Sequence, residues 1–255
     1  MSSELALKFI ETLLGMALFF QTLEYLALEK NFSETGIWRW SDLKNSHPEL
    51  SRFQFLLSER HFLYLLWLRL LATLLIFFIS SSFPLLLFLF LSTLLISMRF
   101  RGTFNGGSDY MTIILLSGLT IGSAFHSHRV NNGVIWYIAI QSTLSYFLAG
   151  FAKVKKSEWR NGKAVSLILK SPNYAPPLDA QELFQNKGLA FLASWGVLLF
   201  ELSFPLVFFI HSPWIWSWLV VGACFHLINA YFFGLNRFLI VWIATYPALL
   251  ATKSL

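Results

Sequence analysis

The fold is decided by one apolar stretch, Val134-Ile-Trp-Tyr-Ile-Ala-Ile-Gln-Ser-Thr-Leu-Ser-Tyr-Phe-Leu-Ala-Gly-Phe-Ala-Lys153. Its length is that of a membrane-spanning helix, which needs roughly 17–25 mainly apolar residues. The stretch ends in a lysine, and Lys155 and Lys156 follow shortly after it. Burial disfavours the charged form of an amine, which is how a lysine can act as a base. A lysine that only extends its stem to the headgroups is the alternative, and both interpretations stay open.

The composition excludes an ordinary soluble domain. Hydrophobic residues make up 56% of the 255 residues, with 27 Phe and 10 Trp, whereas charged residues make up only 13%. Repeated apolar runs leave no polar face for water, so we expect an all-α polytopic membrane helix bundle. The first apolar run lacks a basic segment before it and a cleavage motif after it, which predicts a retained helix. The single cysteine, Cys224, excludes an internal disulfide.

About eight segments have the length that a membrane crossing needs. Their predicted bounds are 5–28, 62–80, 83–98, 110–125, 134–154, 189–210, 214–231 and 234–251. Two longer loops, 29–61 and 155–188, contain apolar patches too short to span, which predicts short interfacial helices. We expect residues 1–255 to form one transmembrane domain.

Basic residues are divided unevenly between the two sides of the predicted bundle. Alternating crossings place both termini on one side, called face A, and the loops 29–61 and 155–188 on the other, called face B. Nearly all lysines and arginines fall on face B, which the positive-inside rule assigns to the cytoplasm. The formal net charge of +6 then indicates contact with anionic lipids of the bilayer. No groove-reading element is visible, so nucleic acid is not an expected partner.

Polar residues near face B form the candidate site. Charged groups within spans are costly, so each needs a partner or a function. Lys153 closes the fifth segment and Asp109 opens the fourth, while His226 and Asn229 share a helical face through their i, i+3 spacing. We expect these side chains to converge, with Lys153, His226 and Asp109 as catalytic residues. The alternatives are a hydrogen-bonded interhelical histidine and a carboxylate that stabilises a helix N-terminus.

Two charged residues lie deeper in the predicted spans. Arg69 belongs to the second segment and Glu201 to the sixth, and an ion pair between them would neutralise both. His126 and His128 lie on face A, but their spacing is not that of helical metal ligands and no carboxylate accompanies them. No metal site is therefore predicted.

Several stretches in a fixed order resemble a known family. They are Asn105-Gly-Gly-Ser-Asp109, Tyr146-Phe-Leu-Ala-Gly-Phe-Ala-Lys153 followed by Trp159 and Gly162, Glu201-Leu-Ser203, and Phe225-His-Leu-Ile-Asn229. Together they are similar to the membrane domain of vitamin K-dependent gamma-glutamyl carboxylase and to the related horizontally transferred transmembrane (HTTM) proteins. The resemblance covers roughly residues 96–250, and its order and spacing are more specific than any single motif.

The resemblance implies that Lys153 holds the position of the family's catalytic base, which removes a proton from a reduced quinone. It also implies a polar cavity that takes a quinone-like or lipid-like molecule, with a reduced quinone as the candidate cofactor. The candidate substrate-binding residues are Asn229, Asn105, Arg101, Glu201 and Trp159.

The sequence departs from the carboxylase in several places. The neighbouring family lysine is Ala152, and the family's Asn-His pair is replaced by Gly107-Ser108. We also expect no counterpart of the large lumenal domain that binds the carboxylase's protein substrate. True gamma-glutamyl carboxylation is therefore not expected. The carboxylase site faces the lumen, whereas the charge distribution places face B inside. We expect a bacterial inner membrane protein whose orientation is open.

Two functions without catalysis by Lys153 are alternatives. In the first, the bundle is a membrane scaffold, a maturation partner or a small-molecule carrier, and the lysine only anchors its helix. A transporter is less favoured, because only Pro205 and Pro247 interrupt spans, both near an end, whereas many transporters contain paired broken helices.

Overall fold

A computed structural model describes residues 1–78, 82–100, 107–171 and 176–255. Within these ranges the chain is helical and contains no strand, which confirms the predicted all-α fold. Arg101 and Asn105, two of the predicted substrate-binding residues, lie outside the described ranges.

The described α-helices are, in chain order, α1 (Ser3–Ala27), α2 (Trp40–Ser46), α3 (Gln54–Leu57), α4 (Glu59–Phe78), α5 (Phe83–Arg99), α6 (Asp109–Phe125), α7 (His128–Val154), α8 (Ser157–Arg160), α9 (Ala164–Leu169), α10 (Leu178–Leu183), α11 (Lys187–Ser203), α12 (Ser212–Phe233), α13 (Asn236–Ile243) and α14 (Tyr246–Ala251). Short 3-10 helices occupy Glu29–Phe32, Pro48–Phe53 and Phe204–Phe208.

Five of the described helices are long and apolar enough to cross a membrane: α1, α4, α7, α12, and α11 together with the 3-10 turn that follows it. Helices α5, α6 and the stretch Asn236–Ala251 are apolar but shorter. Helix occupies most of the described part of each predicted segment, but the count of about eight crossings stays a prediction. The last segment is two helices, because Pro247 has no amide hydrogen to continue the first one.

The N-terminal compact unit comprises residues 3–135. In it α1 packs against α4, and α5 packs against α6. Aromatic side chains fill one part of its core, where the rings of Phe32 and Phe62 lie 4.9 Å apart. Arg99 is buried there and donates a 2.7 Å hydrogen bond to the carbonyl oxygen of Phe32. The positive charge therefore lies among rings and a backbone carbonyl.

Arg69 is fully buried within α4, and each of its three nitrogens donates a hydrogen bond. Nε donates to Thr22 Oγ1 at 3.1 Å, Nη2 donates to Gln21 Oε1 at 3.0 Å, and Nη1 donates to Ser92 Oγ at 2.7 Å. Neutral oxygens of α1 and α5 thus surround the guanidinium. The predicted ion pair with Glu201 is wrong, because neutral groups satisfy the arginine and Glu201 pairs with a different cation.

The C-terminal compact unit comprises residues 1–2 and 136–255. In it α8 and α9 pack against α11, and α12 packs against α13. Helix α9 coincides with the apolar patch that the sequence predicts to be a short helix, and its interfacial position stays a prediction.

The turn before α9 requires a glycine. Gly162 has a φ of +72°, and a Cβ added there would lie 2.5 Å from Phe191 Cα.

Candidate functional site: the Lys153–Glu201 pair

The candidate site is centred on an ion pair between α7 and α11. Lys153 Nζ donates to both carboxylate oxygens of Glu201, at 2.6 and 2.7 Å. The exposed fraction of the side chain is 27% for Lys153 and only 4% for Glu201. The amine is therefore turned toward the protein interior and bonded there, although part of the side chain stays accessible.

A glycine allows the two helices to come this close. Gly150 lies almost one turn before Lys153, and a Cβ added to it would lie 2.9 Å from Glu201 Cβ and 3.0 Å from the backbone nitrogen of Leu202. Any side chain at this position would push α7 away from α11. Tyr146, Gly150 and Lys153 have the spacing i, i+4, i+7, so they form one stripe along α7.

Trp159 completes the surroundings of the amine. Lys153 Nζ lies 5.5 Å from the centre of the Trp159 ring, within the range of a cation–π contact. The tryptophan belongs to α8, which is held against α11 by a 3.1 Å hydrogen bond from Trp195 Nε1 to the carbonyl oxygen of Arg160. The structure thus brings together three of the predicted site residues, Lys153, Glu201 and Trp159.

The pair can exchange a proton without any other group. If the proton moves from Nζ to a carboxylate oxygen, the products are a neutral amine and a neutral carboxylic acid. Two ions are costly to keep away from water, and a neutral amine and acid cost less to bury. The amine left behind has a lone pair that can accept a proton from a bound molecule. This is the acid–base chemistry that the arrangement allows.

His226 lies in an aromatic cluster with different partners. It is fully buried in α12, its Nε2 is hydrogen bonded to the hydroxyl of Tyr146, and its ring stacks on Trp242 with 5.3 Å between centroids. The Tyr146 hydroxyl also lies 3.4 Å from that of Tyr246. Among the described residues, no hydrogen-bond partner of His226 Nδ1 is present. The alternative of a histidine hydrogen bonded between helices therefore holds for Nε2, which is bonded to Tyr146 of α7, but it does not explain Nδ1.

Sequence reasoning missed Tyr146 as a candidate residue. A signal was present, because Tyr146 begins the helical stripe that continues with Gly150 and Lys153. Its ring also stacks on Phe204, with 3.8 Å between centroids, just after the helix that carries Glu201. Position on the stripe would have placed the tyrosine at the α7–α11 contact.

The other two predicted residues have hydrogen bonds elsewhere. Asn229 Nδ2 donates at 2.8 Å to the carbonyl oxygen of Phe225 in its own helix. Asp109 belongs to the N-terminal unit, where its Oδ1 accepts a 3.4 Å hydrogen bond from Gln21, the residue that also accepts from Arg69. These hydrogen bonds do not join either residue to Lys153.

No group of three His, Cys, Asp or Glu side chains in the described part of the chain could hold a metal ion. The lysine–glutamate pair itself offers a donor and acceptors suited to an organic molecule with polar oxygens.

No curated protein and no solved structure matches the chain. The family model of the HTTM domain matches residues 119–253, which include all of α7 to α14 and therefore the whole lysine–glutamate site. The matched region begins within α6 and leaves out Asp109. Because this match covers more than half of the sequence, the chain belongs to the HTTM domain family.

Proposed function

We propose that this membrane protein binds a quinone-like or lipid-like molecule beside the Lys153–Glu201 pair, with Lys153 as the base that takes a proton from it. Trp159 and Glu201 contribute to binding, and a reduced quinone is the candidate cofactor. His226 supports the same region through Tyr146. The observation that carries the proposal is a partly accessible amine bonded to a nearly inaccessible carboxylate.

The pair has the features of a functional rather than an incidental contact. A charged residue inside an apolar span is expensive and commonly marks a substrate or proton pathway. Gly150 and Gly162 provide close backbone contacts on either side of the lysine, so the local packing is adapted to this geometry. The family resemblance of the sequence from Tyr146 to Lys153 supports the same assignment.

We also propose that the single transmembrane domain makes about eight crossings, three of them by the shorter apolar helices. The N-terminal ammonium group of Met1 donates at 2.9 Å to Ser254 Oγ, and Ser254 Oγ donates at 3.0 Å to the carbonyl oxygen of Met1. Residues in contact lie on the same side of a membrane, so the number of crossings between them is even. Eight crossings satisfy this condition, whereas the five long helices alone would not.

The second candidate function is a non-catalytic scaffold, maturation partner or carrier. The observation that favours this function is that Lys153 and Glu201 already bond to each other, because Lys153 Nζ donates to both carboxylate oxygens of Glu201. A pair of this kind can simply hold two helices together, and its charges then serve the fold rather than a substrate.

The deciding experiment compares the full-length wild type with a Lys153→Met/Glu201→Gln double variant, which removes both charges at once. Removing Lys153 alone would leave a buried carboxylate without its partner, at a cost of about 3–5 kcal/mol. The double variant should fold and should lose the small molecule that co-purifies with the wild type, measured by mass spectrometry of an organic extract. A double variant that folds and retains this molecule at the wild-type level would support the scaffold.

A labelling experiment tests the base itself. The rate at which an amine-reactive reagent modifies Lys153 is followed across pH by peptide mass spectrometry, with the exposed Lys156 as internal reference. If Lys153 is a base, it should be labelled faster than Lys156 at neutral pH. The Glu201→Gln variant should change the pH dependence of Lys153 labelling. If Lys153 follows the profile of Lys156 in both proteins, it does not act as a base.

A further inference from the structure

A group of exposed cations follows Lys153 in sequence. The segment that carries them packs along the side of α11 and does not lie beyond the end of that helix. The group, called the basic turn, consists of Lys155, Lys156, Arg160 and Lys163. Its position is fixed by the contact of Gly162 with Phe191 and by the hydrogen bond from Trp195 to Arg160. Trp195 lies about 12 Å along the helix axis from the first residue of α11. The backbone that carries these cations is therefore level with the apolar helix α11, between Phe191 and Trp195.

The basic turn has a defined shape. Arg160 Nη1 donates to the carbonyl oxygens of Val154 and Lys155, at 2.9 and 3.1 Å, and so satisfies backbone acceptors at the end of α7. This leaves the ammonium groups of Lys155, Lys156 and Lys163 on an ordered frame. Glu158 is the only carboxylate in the sequence between Lys155 and Lys163, so the turn is strongly positive.

Exposed apolar side chains adjoin these cations on α7. The exposed fraction is 52% for Leu148 and 44% for Phe151, and Lys155 Nζ lies 4.1 Å from the centre of the Phe151 ring. Leu148 and Phe151 are spaced i, i+3 on α7, and Lys155, the first residue after this helix, contacts Phe151. The surface is therefore apolar along the helix and cationic at its end.

We propose that this surface binds an anionic phospholipid of the surrounding bilayer, with its phosphate on the basic turn and an acyl chain along Leu148 and Phe151. Cations on a backbone level with an apolar helix need anions nearby, and a bilayer supplies them as headgroups drawn toward the helix. A small water-soluble anion would leave the apolar part of the surface uncovered. A zwitterionic lipid would match the chains but would leave the positive charges uncompensated.

Lys153 lies between the two parts of this surface in sequence, because Leu148 and Phe151 precede it and the basic turn begins two residues after it. The surface places an anionic amphiphile next to the partly accessible amine, and the docking does not depend on whether Lys153 acts as a base.

The test uses the full-length protein in detergent and measures binding of phosphatidylglycerol and of phosphatidylcholine with identical chains by native mass spectrometry. The wild type should prefer phosphatidylglycerol. The triple variant Lys155→Gln/Lys156→Gln/Lys163→Gln should bind it about a hundredfold more weakly, since each lysine near an anionic headgroup contributes about 1 kcal/mol. Arg160 is left in place because it satisfies carbonyl groups. The matched control is Lys8→Gln/Lys30→Gln/Lys44→Gln, which removes the same charge from exposed positions elsewhere and should bind as the wild type does.

Several outcomes would overturn the proposal: equal binding of both lipids, equal losses in the two triple variants, or full competition by glycerol phosphate, which would indicate a site for the free headgroup. If the triple variant does not fold, the wild type alone decides the question. Phosphatidylglycerol binding that falls as salt rises supports the proposal, and binding independent of salt contradicts it.

Discussion

Gly150 is the residue on which the lysine–glutamate contact most depends. Gly150→Ala adds a Cβ 2.9 Å from Glu201 Cβ and 3.0 Å from a backbone nitrogen, neither of which can move like the end of a flexible side chain. We expect a loss of stability of about 1–3 kcal/mol, as for other overpacked helix contacts. The measurement is unfolding of the purified protein in detergent, together with amine labelling of Lys153, which should become faster as the helices separate.

Gly196→Ala in α11 is the matched control. A Cβ added there meets nothing within 4 Å, so the substitution should be neutral or should stabilise the helix by about 0.5–1 kcal/mol. If the two alanine variants unfold alike, the close approach at Gly150 does not hold the pair together.

At the level of residues, the sequence predicted the site members better than their partners. The cost of burying a charge singled out Lys153, Glu201 and Arg69, and all three have specific partners in the structure. Their pairing could not be deduced, because Glu201 could have neutralised either cation. Which cation pairs with Glu201 depends on which helices are in contact. Arg69 needs no carboxylate, because neutral hydroxyl and amide oxygens accept its hydrogen bonds, and counting charges in the sequence does not reveal such partners.

At the level of elements, the turn between α7 and α9 sets the position of Trp159 and the basic turn. Two glycines with positive φ offer a comparison, Gly162 at +72° and Gly234 at +66°. Alanine at either position carries a similar backbone strain of about 1–2 kcal/mol. Only at Gly162 would the new Cβ also meet Phe191, 2.5 Å from its Cα. Gly162→Ala should therefore cost clearly more than Gly234→Ala and should release α8 and α9 from α11.

Hydrogen exchange of residues 157–169 measures this release. Gly162→Ala should raise exchange in these residues, whereas Gly234→Ala should leave it unchanged. Equal exchange in both variants would mean that the turn is not held by its contact with α11.

The bounds of the elements followed from sequence wherever a polar or helix-breaking residue marked an end. Helices α5 and α6 begin and end close to the predicted positions, because Pro84, Arg99 and Asp109 stand there. The fifth segment begins at His128 instead of Val134, since polar residues can extend a helix beyond its apolar part. Helix faces were harder to predict, because helices apolar all round carry no periodic signal.

At the level of the whole molecule, the number of crossings decides which parts of the chain share a side of the membrane. About eight crossings place both ends of the chain on face A, and the loop around Lys44 and the basic turn on face B. Five crossings would instead place residue 255 on the same side as the basic turn. The position of Leu255 relative to the N-terminus therefore distinguishes the two counts.

Single cysteines introduced into a Cys224→Ser background provide the measurement. Glu4→Cys, Lys44→Cys, Lys156→Cys and Leu255→Cys are labelled with a membrane-impermeant maleimide, in intact cells and in inverted vesicles. Positions 4 and 255 should react from one side, and positions 44 and 156 from the other. Reaction of position 255 together with position 156 would rule out an even number of crossings. The side from which position 156 reacts also gives the orientation of the protein. If it reacts from the cytoplasm, the basic turn follows the positive-inside rule. If it reacts from outside, another interaction must override that rule.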